Sequence, residues 1–83
     1  MKHLVFAVFD SKAKSFLQPF FSMNRDTAIR AVAVAASDST TLLSNHPEDF
    51  ALFEIGLFDD DSGKLLGAPG PIHVCLIKSL VKE

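Results

Sequence analysis

Tryptophan and tyrosine are both missing from this 83-residue chain, cysteine occurs once, and apolar runs stay short. Each shortage excludes something. The longest uninterrupted apolar runs, Leu4 to Phe9 and Ala31 to Ala36, are six residues each, whereas a spanning helix needs about 20. No transmembrane segment is expected. The apolar start superficially resembles a signal peptide, but Asp10-Ser11-Lys12 cuts it short and no small-residue cleavage site follows. A lone Cys75 makes no intrachain disulfide, which fits a reducing cytoplasm, and with no charged neighbour in sequence it reads as a small packed residue.

Positive charge is not in excess either. Eight Lys and Arg against ten Asp and Glu leave a net charge of -2, so the global basic field of a nonspecific DNA binder is lacking and only a local patch remains open. Catalytic apparatus is equally thin: three histidines, at 3, 46 and 73, with no Gly-rich phosphate loop and no nucleophile elbow. The chain is read as a non-enzyme without a cofactor.

What the chain does have is apolar content. At 48% hydrophobic residues and a mean hydropathy of +0.27, disorder is excluded, and the length suits one domain, residues 1–83, with one core. Residues 3–9 are apolar at both alternating sets of positions, the pattern of an interior strand. A polar turn at 10–14 returns the chain through Ser15 to Phe21, with Pro19 predicting an edge position or a break.

Asn24 is the predicted N-cap of a helix with Ala28 to Ala36 as its body, Asp26 lying favourably at the positive end of its dipole. Ile29, Val32, Ala33 and Ala36 are the expected inward face. Ser37 to Thr41 ends the helix, and a loop with a short turn near Leu42-Leu43 leads to Pro47. Phe50 to Phe58 is the third strand, Asp59 to Gly63 a turn, and Lys64 to Leu66 starts a fourth. Gly67-Ala68-Pro69-Gly70-Pro71 is expected to break regular structure, and Ile72 to Glu83 to form an amphipathic terminal segment, helical towards its end. The fold class is therefore α+β: a small antiparallel sheet of two hairpins and about four strands, packed on one main helix with a short C-terminal element. Two strands apolar on both faces, with one clear helix to cover them, predict an uncovered face and a symmetric homodimer.

Two polar stretches invite a metal reading and do not sustain it. His46, Glu48 and Asp49 have no second histidine or cysteine at ligand spacing. Asp59-Asp60-Asp61-Ser62-Gly63 begins like a calcium loop, yet aligned on Asp59 the third acidic position is Gly63 and the twelfth is Gly70. Both read as turns. For nucleic acid, Lys12, Lys14, Arg25 and Arg30 are the candidate phosphate contacts, joined by Lys2, with Phe16, Phe20 and Phe21 as stacking rings. Solvated charges and core rings account for them equally well. The loop His46, Glu48, Asp49 and Phe50 is a candidate contact for a protein partner.

The segments FAVFDSKAKSFLQPFF, NRDTAIRA and above all NHPEDFALFEIGLFDDDSGKL resemble, in order and over nearly the whole chain, the small nonstructural protein of the gokushovirus branch of the microviruses. The most specific part is H-P-E-D-[YF]-x-L-F-E-[IL]-G, here His46 to Gly56. The resemblance implies a phage protein of the host cytoplasm that binds single-stranded or replicative phage DNA. Its implied role, by analogy with the C protein of related microviruses, is the switch from double-stranded replication to single-stranded synthesis and packaging. It supplies no catalytic motif. The chain departs from the expected pattern in lacking tyrosine and in its alanine-rich helix. The second expectation is a dimeric adaptor that binds a phage replication protein, a capsid protein or a host factor without touching DNA.

Overall fold

The computed structural model describes residues 1–81, so Lys82 and Glu83, the last two positions of the expected terminal segment, lie outside the described residues. Five strands form one antiparallel sheet: β1 (Lys2–Asp10), β2 (Ser15–Phe16), β3 (Phe20–Ser22), β4 (Phe50–Asp59) and β5 (Lys64–Leu76). The order is β2-β1-β4-β5, with β3 also on β1 beside β2. Helix α1 (Arg25–Ser37) covers one side, and a four-residue helix α2 (Leu42–Asn45) precedes a 3-10 turn at Pro47–Asp49.

β1 is the interior strand its two-sided apolar pattern calls for: Val5, Phe6, Ala7 and Val8 are all buried. The returning strand is interrupted at 17–19. Pro19 has no N–H to give, and Leu17 keeps the connection by donating from its backbone to Val8 O at 2.7 Å. Asn24 caps α1 as predicted, its Oδ1 accepting from Thr27 N at 2.8 Å. At the other end the Thr41 hydroxyl donates to Ala35 O at 2.8 Å and accepts from Ser44 N at 3.2 Å, so one side chain closes α1 and opens α2.

The inward row of α1 is Ala28, Val32 and Ala36, one i+4 line; the expected Ile29 and Ala33 flank it half-buried. The reason is volume. Phe6, Leu52 and Ile77 fill the space from the sheet side, all fully buried, and alanines let the helix approach.

One expectation fails at the C-terminal end. The Gly67 to Pro71 segment does not end the strand, which runs on through Ile72 to Leu76 into the start of the expected terminal segment. β5 is an edge strand, so prolines cost it little. Gly67 pairs with Gly56 and Ile72 with Glu54, which leaves Ala68 to Pro71 bulged opposite Ile55. The missing donors of Pro69 and Pro71 therefore fall where no ladder bond is required. Among the described residues, the helical end expected of the terminal segment is Ile77–Leu80, a 3-10 turn that sends Ile77 into the core.

Candidate nucleic-acid interface

Cross-strand register sorts the side chains of the sheet onto two faces. Phe6 and Val8, with Leu52, Cys75 and Phe20 as partners or neighbours, face α1. His3, Val5, Ala7 and Phe9 face away, and their partners Phe58, Gly56, Phe53 and Ala51 go with them. Phe21 joins through Val5, Phe16 through Phe9, and Leu65, Gly67, His73 and Leu76 through β4.

This helix-free face has two groups of rings. In one, Phe9 and Phe16 lie 4.9 Å apart between centroids, and Phe53 meets Phe16 edge-on at 5.6 Å and His73 at 5.4 Å. In the other, Phe58 lies 5.6 Å from Phe21 and 6.1 Å from His3. Val5 and Ala7, both buried, lie between the two groups with Gly56 and Gly67 at the neighbouring register positions. No Asp, Glu, Lys or Arg sits at any of these register positions, and His3 and His73 are the ionisable side chains on the face. Phe16 is 42% exposed and Phe21 59%.

The four cations expected to touch phosphate do not form one patch. Lys12 and Lys14 occupy the tight β1–β2 turn, where Asp10 Oδ1 accepts from Lys12 N and Ala13 N and Lys14 N donates to Asp10 O. Lys14 has φ 57, a left-handed conformation that the turn imposes on a side-chain-bearing residue. Arg25, at the start of α1 on the opposite face, donates from Nε to Glu54 Oε1 at 2.9 Å and is committed there. Arg30 lies one turn and a half along α1, exposed. Among the described residues, no salt bridge holds Lys12, Lys14 or Arg30. Phe20 is on the helix side, stacked at 5.9 Å on buried Phe6, so only Phe16 and Phe21 of the three expected rings are free.

In the His46 to Phe50 loop, His46 and Glu48 are exposed, Asp49 is half-buried, and Phe50 turns into the core at 4% exposure. The His46, Glu48 and Asp49 ligand atoms lie within 4.8 Å of one another, as do those of Asp59, Asp60 and Asp61. The second trio already has cationic company. The Met1 ammonium donates to Asp60 Oδ1 at 2.6 Å and to Asp61 Oδ2 at 2.9 Å, and His3 Nε2 lies 2.9 Å from Asp60 Oδ2. The ammonium and His3 hold the Asp60 carboxyl below its ordinary range, and Asp60 and Asp61 raise the ammonium. Gly63 closes this turn at φ 78, a positive value that glycine adopts without steric cost.

Sequence reading missed Phe9, Phe53, Phe58 and the two histidines as one surface. Alternation marked Phe53 as a strand position, but only the β4–β5 register brings His73 against it. No helix of the described residues is long and apolar enough to cross a membrane.

The family model described as Phage ORF5 protein matches residues 3–80. Among curated proteins, Protein ORF5 of Chlamydia phage 1 is 38% identical over 68 residues, 77% of this chain and 71% of that protein. No solved structure matches.

Proposed function

We propose, since this chain belongs to the phage ORF5 protein family, that it is a DNA-binding factor of the switch from double-stranded replication to single-stranded synthesis and packaging, working by binding rather than catalysis in the host cytoplasm. The observation that carries this reading is the β1–β2 turn: Lys12 and Lys14, in no salt bridge among the described residues, lie just ahead of the exposed Phe16 and Leu17. Cations for the backbone beside a ring for a base are the two elements of single-strand binding. Arg30 is the third cation in the reading; Arg25, tied to Glu54, is left out. The gokushovirus resemblance supplies the choice of DNA as ligand.

Salt titration of binding to a labelled single-stranded oligonucleotide tests it. With two or three phosphates neutralised, log K should fall against log salt with a slope of about -1.5 to -2. Lys12→Glu with Lys14→Glu should abolish binding, and Phe16→Ala should weaken it about tenfold. An oligonucleotide that stays unbound at low salt refutes the proposal.

The second reading, a dimeric adaptor for a phage replication or capsid protein or a host factor, is favoured by the net charge of -2 and by the exposed His46 and Glu48. No oligonucleotide binding at low salt, together with capture of a defined phage protein that is lost in His46→Ala, supports it.

A further inference from the structure

The chain exposes more surface than its mass requires. A monomer of 9.0 kDa is expected to show ~4,850 Å², and this one shows 5532 Å², an excess of ~700 Å². Its radius of gyration of 13.0 Å likewise exceeds the ~12 Å of a compact chain this long. A standard protein–protein interface removes about 800 Å² per partner, so the excess amounts to nearly one half-interface.

The helix-free face is where that excess can be buried. Helix α1 covers the Phe6, Val8 and Leu52 part of the other side of the sheet. Phe21, Leu65 and Leu76 stand out on the open side at 59%, 65% and 51% exposure, and the face has no Asp, Glu, Lys or Arg at its register positions. We propose that this face is the seam of a symmetric dimer, each chain burying its ring groups against a second copy. The absence of cations there favours a protein surface over phosphate. A two-fold seam presents the same patch from both sides, and Gly67, with open space around its Cβ position, leaves a facing ring room to seat. The sheet edges are poorer seams: β5 is bulged at Ala68 to Pro71 and again at Val74, and the opposite edge is broken at Pro19.

Assembly through this face competes with the DNA reading for Phe16, which stands in its first ring group, and it is measured without DNA. Light scattering with refractive-index detection on the full chain, from micromolar to millimolar, should return twice the 9.0 kDa of one copy. Phe21→Glu and Leu65→Glu each place a charge in the seam and should raise the dimer Kd roughly 100-fold, with an unchanged far-UV spectrum. Val34→Glu, on the outer side of α1 at 68% exposure, should leave the dimer intact. A wild-type mass of 9.0 kDa throughout, or a dimer broken by Val34→Glu and spared by Phe21→Glu, overturns the proposal. Should the variants misfold, a soluble paramagnetic probe on the wild type decides: Leu65 and Leu76 methyl signals stay sharp if the face is covered, and broadening of both overturns it. A wild-type monomer whose oligonucleotide binding falls in Phe21→Glu gives the face to bases instead, which also overturns it.

Discussion

Gly56 and Leu66 stand so close across the β4–β5 ladder that a Cβ built on Gly56 would lie 2.6 Å from the Leu66 carbonyl oxygen. The obstacle is backbone, so it cannot rotate away. Gly56 is also the last residue of the His46 to Gly56 motif, and its place there has a steric cause. Gly56→Ala is expected to cost about 1–3 kcal/mol, measured by urea denaturation, whereas Gly67→Ala, with open space around its Cβ position, should cost far less.

Asn24 tests the helix boundary. Its side chain holds Thr27 N and Thr27 Oγ1, both at 2.8 Å, and Asn24→Ala should lower stability by about 1 kcal/mol, Asn24→Gly by only a few tenths. Thermal unfolding of the two variants side by side separates the cap bond from backbone preference.

Arg25 should behave as a structural residue. Its guanidinium meets Glu54, which is 19% exposed, and Arg25→Ala is expected to cost up to about 1 kcal/mol while leaving oligonucleotide affinity near wild type. Loss of affinity without loss of stability would contradict the assignment.

The pairing of Met1, His3 and Asp60 sets a pH window. Asp60 is lowered from 3.8, so its contribution is present above that value and lost as pH falls through the lower folded value. The Met1 ammonium is raised from 8.0, so its contribution is present below 8.0 and lost as pH rises through the higher folded value. Melting temperature followed by circular dichroism should fall off on both sides, and Asp60→Asn should flatten both limbs. The groups are exposed, so added salt should shrink the effect.

Cys75 is a half-buried thiol whose pKa is pushed up by burial. Alkylation near neutral pH should run several-fold slower in the native chain than in denaturant. Equal rates would mean that the β5 segment opens freely.

Much of the fold was legible because local rules and tertiary outcome agree. Asn24, Pro19, Gly63 and the two-sided apolar pattern of β1 each act within a few residues, and each does what it predicts. The resemblance carried by His46 to Gly56 likewise leads to the family that the comparisons give. β5 defeated local reasoning because Gly67 to Pro71 breaks structure only where a ladder demands N–H donors, and the bulge against Ile55 removes that demand. The aromatic face was illegible for a related reason: Phe9, Phe16, Phe53 and His73 are far apart in sequence, and only register joins them.

The two interruptions of β5 also govern what becomes of a strand-rich chain as it accumulates. A long straight border invites one molecule after another to add on, and fibres grow from such templating. Here the border is cut into short pieces by Ala68 to Pro71 and by Val74. Copies can crowd to high concentration while remaining discrete, finite particles.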